Sequence, residues 1–155
     1  MSTNHAREIS ILSSARDGLR YLSANDWTLV ADKASYVRFK KGAVMVQKGA
    51  PNDGVLLLLK GTARVMVAPQ SKVRILGPGE VCGEMSFLED APASASVIAE
   101  EEIEALLLNR ATLESLFELF PHLASRFYRS LATNLSRRLR ELIMPSSLKA
   151  SSAKQ

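Results

Sequence analysis

Apolar residues recur along the chain at two different periods, and the changes of period divide it into three parts. Over residues 6–33, Ile9, Leu12, Leu19, Leu22, Leu29 and Val30 fall mostly at steps of three and seven, which predicts helix. Two helices are expected in this segment, the first of them weakened by Gly18. Ser23 or Asn25 can cap the second, whose first turn holds Asp26. From Ser35 to Arg110 the text turns to short β-rich runs: SYVRF, VMVQK, GVLLLLK, TARVMVA, KVRIL, SASVIA and EIEALLLN. They are broken by KKG, GAPND, KG, APQS, GPGE and LEDAPA, so seven or so strands with frequent turn signals predict a sandwich, jelly roll or barrel.

After Arg110 the helical period returns. ATLESLFELF reads as one short helix, and Pro121 suits the first turn of the next, where a missing N–H costs nothing. That next helix, PHLASRFYRSLATNLSRRLRELIM, places Leu123, Phe127, Leu131, Leu135, Leu139 and Leu142 on one predicted stripe. Arg126, Arg129, Arg137, Arg138 and Arg140 lie mostly beside or opposite it. Such a stripe must cover either the β layer or a partner helix. The expected organisation is a partly helical extension over residues 1–18, one domain over 19–144 and a small polar tail over 145–155.

Composition narrows the function classes. A chain of 155 residues and 16.9 kDa, 46% hydrophobic, suits one domain with a real core. The net charge of +4 is a small surplus, not the dense field of a nucleic-acid binder. Charge is also segregated: residues 100–118 hold one basic and six acidic side chains, and 119–155 hold seven and one, which suggests internal or intersubunit pairing. No apolar run approaches the ~20 residues of a membrane span, and the N-terminus lacks the basic and apolar regions of a secretory signal, so a cytoplasmic location is expected. One cysteine and two histidines are too few for a zinc or His-cluster site, and neither histidine neighbours a nucleophile motif. A non-enzymatic role is therefore expected, with no cofactor. Cys82 reads as a small buried hydrophobe rather than a reactive thiol.

The most informative stretch is GPGEVCGEMSFLEDAPASASV, Gly77 to Val97. It shows a tight turn, a short strand, and Gly83 ahead of one helical turn from Glu84 to Leu88. Backbone N–H groups at the start of such a turn make an anion site, and a glycine there lets a phosphate approach. Read alone, Gly83 is first of all a bend between strands.

With FKKGAVMVQKGAPNDGVLLLLKG (Phe39 to Gly61), RILGPGEVCGEMSFLEDAPASASV (Arg74 to Val97) and the basic helix ending SRRLRE at Glu141, the chain resembles the cyclic nucleotide-binding domain family over about residues 19–143. The resemblance implies a mainly β fold: a β-roll of about eight antiparallel strands over 35–110, N-terminal helices, and C-terminal helices over 111–143 ending in a long one. It implies a ligand such as cAMP or cGMP. Gly83 and Met85 would offer backbone N–H groups to the cyclic phosphate, and Glu84 would accept from the ribose 2′-OH. Val73 and Leu76 would line the base side, and Ser94 and Ser96 would follow the phosphate contact. It implies a homodimer through the last helix, by Phe127, Leu131, Leu135, Leu139 and Leu142.

One position departs from the family pattern. Where the motif has arginine after the cassette proline, Pro92 is followed by Ala93. A charge-assisted bond to phosphate contributes roughly 1.5–3 kcal/mol, so its loss should weaken binding about ten- to a hundredfold. Arg74, on the strand leading into the cassette, and Arg138, on the last helix, are the candidates to replace it, against a solvated or salt-bridged Arg74 and an exposed Arg138. Glu84 has a second reading as a cap of its own turn.

Two functions follow: a sensor that couples ligand binding in the roll to movement of the last helix, or a degenerate domain that serves dimerisation or docks an unidentified protein partner. Direct DNA binding is not expected, because no helix-turn-helix segment follows the last helix, and no membrane association is expected. A jelly-roll metalloenzyme would need histidines inside the roll, and residues 35–110 contain none.

Overall fold

The computed structural model describes residues 2–66 and 74–144, the first four of them in backbone only. Helices α1 (Ser2–Ser14) and α2 (Ala24–Lys33) precede strands β1 (Ser35–Phe39), β2 (Val44–Val46), β3 (Gly54–Lys60), β4 (Ala63–Met66), β5 (Arg74–Leu76) and β6 (Val81–Cys82). A short helix α3 (Glu84–Glu89) leads to β7 (Ser96–Ala99) and β8 (Ile103–Asn109), and the chain closes with α4 (Arg110–Leu119) and α5 (Pro121–Ile143). The eight strands pair antiparallel in two four-stranded sheets, β1-β8-β3-β6 and β2-β7-β4-β5. This is the eight-stranded roll with flanking helices that the resemblance implies, one of the forms left open by the strand grammar.

The continuous apolar run of β3 has a physical reason: the strand is covered on both faces. Leu56 and Leu58 point between the two sheets, where they meet Leu76, Cys82, Ala93, Val97, Ile103 and Ala105. Val55, Leu57 and Leu59 point outward into a second core shared with the helices, with Leu12, Leu19, Trp27, Leu113, Leu123, Phe127 and Leu131. β8 alternates in the same way, Ile103 and Ala105 to the roll and Leu106 and Leu108 to the helices.

Capping fixes the helix entries. Ser23 and Asp26 form a reciprocal capping box on α2, the Asn109 side chain accepts from the Thr112 N–H on α4 at 2.8 Å, and Pro121 opens α5. Gly18 lies in the link between α1 and α2, where a Cβ would meet the Gly79 carbonyl at 2.4 Å. Asp26 also accepts two bonds from the Arg126 guanidinium, at 2.5 and 2.9 Å, tying α2 to α5.

The single stripe predicted for α5 is corrected by the structure. Leu123, Phe127 and Leu131 are fully buried against their own domain, so Phe127 and Leu131 are core residues and not dimer contacts. Leu139 and Leu142 are 57% and 80% exposed. The cause is geometric: steps of four residues overshoot a 3.6-residue turn by about 40° each, so the line from Leu123 to Leu139 wanders roughly 160° around the helix. A different set, Tyr128, Ala132, Leu135, Leu139 and Leu142, alternates steps of four and three on the solvent side. Among the described residues no helix is long and apolar enough to cross a membrane.

Candidate ligand pocket

β6 ends at Gly83, whose φ of +85° is left-handed and reverses the chain into α3. A Cβ there would also lie 3.1 Å from the Gly54 carbonyl oxygen and 2.6 Å from Nδ2 of Asn52, which would have to shift. That amide donates to the Gly54 carbonyl at 3.0 Å and to the Gly83 carbonyl at 3.3 Å, so the β2–β3 loop props the turn. The Ser86 hydroxyl, buried behind α3, donates to the Ala91 carbonyl and closes the far side of the loop.

Arg110 secures the other end of α3. Its Nη2 donates to the Phe87 carbonyl at 3.0 Å, its guanidinium lies 4.7 Å from the Phe87 ring centre, and Asp90 and Glu114 pair with it at 3.6 and 3.8 Å. Phe87 in turn meets Phe127 edge-on, with centroids 5.9 Å apart, and stacks on Tyr128 at 6.3 Å. Asn52 and Arg110 are the supporting residues that sequence reasoning missed. In sequence, GAPND signals only a break between strands, and Arg110 only closes the β-rich region.

Between the sheets and α3 lies a cavity of about 80 Å³. Val46, Val65, Leu76, Cys82 and Val97 make its apolar wall, and Ala93 faces it. The Ala93 backbone is fixed in both directions, its N–H donating to Ala50 at 3.0 Å and its carbonyl accepting from Gly49 at 2.8 Å. Burial pushes the Cys82 thiol up to about 12, with the Glu84 charge adding to it, so this sulfur is an apolar wall atom at neutral pH.

The polar groups come from three elements. Glu84, at the start of α3, is 8% exposed, and its Oε1 accepts from Nη1 of Arg138 on α5 at 2.9 Å. It also lies in the first turn of α3, where the helix dipole favours a carboxylate. Arg138 is therefore not the exposed helix arginine of the bland expectation: it lines the cavity, and its Nε is buried without a hydrogen-bond partner among the described residues. Arg74, on the inward face of β5, lines the same cavity and pairs with Glu80 at 3.7 Å, as the salt-bridged alternative expects. Burial, and then the neighbouring Arg138 charge, hold the Arg74 guanidinium below its ordinary value.

The remaining predicted residues divide. Gly83, Met85, Leu76 and Ser94 line the cavity. Ser96 does not: strand alternation turns Val97 inward and Ser96 away, and its hydroxyl accepts from the Lys48 N–H at 3.0 Å. Val73 lies outside the described residues.

Against known proteins, residues 36–119 match the cyclic nucleotide-binding domain family. The chain is 28% identical over 130 residues to cyclic GMP-binding protein C of Dictyostelium discoideum, covering 81% of this chain and 5% of that one. It is 33% identical over 107 residues to a cyclic AMP receptor protein of Thermus thermophilus, covering 66% and 48%. It thus spans less than half the length of either relative. A cyclic nucleotide-binding domain from Methylobacillus flagellatus superposes with a TM-score of 0.74 at 22% identity, over 90% of this chain and 80% of that one. With the roll, the cassette turn at Gly83 and the match over residues 36–119 all agreeing, the chain belongs to the cyclic nucleotide-binding domain family.

Proposed function

We propose that the cavity is a sensor site for a cyclic nucleotide, cAMP or cGMP, and that its occupancy shifts α5 in signal transduction. The observation that carries this reading is the Glu84–Arg138 contact: the residue that would take the ribose hydroxyl is held by the last helix. A ligand that bonds Glu84 changes what Arg138 meets, and the helix can respond only by the ligand's differential affinity for the two arrangements. The protein acts without catalysis, in the cytoplasm, as a homodimer through the exposed seam of α5.

Ala93 favours a second reading, in which the roll is kept as a dimerisation or protein-docking module. Titration calorimetry with cAMP and cGMP, run beside Ala93→Arg, separates the two. The sensor reading expects saturable binding by the unmodified protein, tightened about ten- to a hundredfold in the variant. Binding by the variant alone would overturn the sensor and leave the module.

A further inference from the structure

The cavity holds a pair of cations that the family resemblance does not assign. Arg74 reaches it from β5 and Arg138 from α5, and both line it together with Ala93. Among the described residues each makes an ion pair with one carboxylate, and Glu84 and Asp17 also act on Arg74 from farther off. Glu80 stands 3.7 Å from Arg74, an ion-pair distance too long for a hydrogen bond, and its other oxygen already accepts from the Gly77 N–H at 2.6 Å. Arg138 gives Glu84 one bond from Nη1, while its buried Nε has no acceptor. Two guanidiniums facing one small, largely apolar space thus keep unused donors. The fork geometry of guanidinium matches a phosphate, which accepts from both and relieves their mutual repulsion.

We propose that Arg74 and Arg138 form an anion clamp between β5 and α5, which takes a ligand's phosphate in place of the cation missing at Ala93. This rests on the pocket reading above and adds a consequence to it. A cation in the cassette would hold a phosphate to the roll alone, whereas the clamp fastens α5 to β5 through the anion itself.

Two measurements test the clamp. In protein labelled with ¹⁵N at arginine, inorganic phosphate is titrated while the Nε–Hε resonances are followed, and those of Arg74 and Arg138 are expected to move together and saturate. Calorimetry with cAMP then compares the unmodified protein with Arg74→Gln and Arg138→Gln, each expected to bind about ten- to a hundredfold more weakly. Arg74→Gln is the safer variant for folding, since Glu80 keeps the Gly77 N–H, whereas Arg138→Gln strands a buried carboxylate. Adding Ala93→Arg to Arg74→Gln should restore affinity. It should not restore the ligand-induced slowing of amide exchange in residues 134–143 that the clamp produces in the unmodified protein. Unmoved Nε resonances, or unchanged cAMP affinity in Arg74→Gln, would overturn the clamp. If phosphate moves both resonances and neither cyclic nucleotide binds, the clamp stands and the cyclic-nucleotide reading falls.

Discussion

Gly83 shows how much of the site rests on a single backbone conformation. Its positive φ and the 2.6 Å approach of Asn52 act independently, so they can be separated. Gly83→Ala should cost about 1–3 kcal/mol of stability, from strain together with the clash. Asn52→Ala alone should also destabilise, since it removes the bonds to the Gly54 and Gly83 carbonyls, but the double variant lacks the amide clash, so by chemical denaturation its loss should be smaller than the sum of the two single losses. Losses that simply add would show that the Asn52 contact contributes nothing to the cost of the Cβ. The sequence makes Gly83, Glu84 and Met85 legible because they sit together in one segment. Asn52 and Arg110 escape notice because their partners are 31 and 23 residues away, a proximity that only the folded sheet creates. Arg138 is legible as a candidate cation, but its contact with Glu84, 54 residues away, follows from how α5 packs.

At the scale of elements, the Asn109 cap of α4 shows only in the fold, whereas strand runs were legible because turns punctuate them, and the starts of α2 and α5 because Ser23 caps one and Pro121 opens the other. The rotation of α5 was not, since spacing by fours looks the same in sequence whether the helix is straight against one surface or shared between two. What fixes the rotation includes a polar contact, the forked bond from Arg126 to the buried Asp26. The Arg126 guanidinium, with the Ser23 N–H and hydroxyl contacts, holds the Asp26 carboxyl below its ordinary value of 3.8. Unfolding releases it, so the pair contributes stability above that ordinary value, and the contribution is lost as pH falls through the lower folded value. The melting temperature should therefore drop between about pH 5 and pH 2, and Asp26→Asn should flatten part of that dependence. Because Arg126 is partly exposed, the substitution should cost about 1–3 kcal/mol at neutral pH, at the low side of a broken buried pair. A variant with the same pH profile as the unmodified protein would show that another group sets the acid limb.

For the whole molecule, the decisive asymmetry is that α5 carries one face into its own core and leaves another uncovered. Tyr128, Ala132, Leu135, Leu139 and Leu142 follow the alternating four-three spacing of a two-helix seam; Leu135 is half-buried, whereas Tyr128, Leu139 and Leu142 are 43%, 57% and 80% exposed. Arg138 immediately precedes Leu139, so a helix displacement felt at the cavity reaches the seam within one residue. Arg137, on the neighbouring side, is already paired with Asp17 at 3.0 Å, which reduces repulsion between two copies. Burying a leucine contributes about 1.5–3 kcal/mol, and a twofold pairing counts each substitution twice. Leu139→Glu should therefore weaken the proposed homodimer at least about a hundredfold by sedimentation equilibrium. Its melting curve at monomer concentrations should stay nearly unchanged, because the side chain has little to lose within its own domain. Leu131→Ala should do the opposite, costing about 2–5 kcal/mol of folding stability as a core cavity while leaving the seam in place. A protein that sediments as a monomer at every concentration, or a Leu139→Glu variant that still pairs, would remove the homodimer and with it the route by which α5 carries the state of the pocket to a second copy.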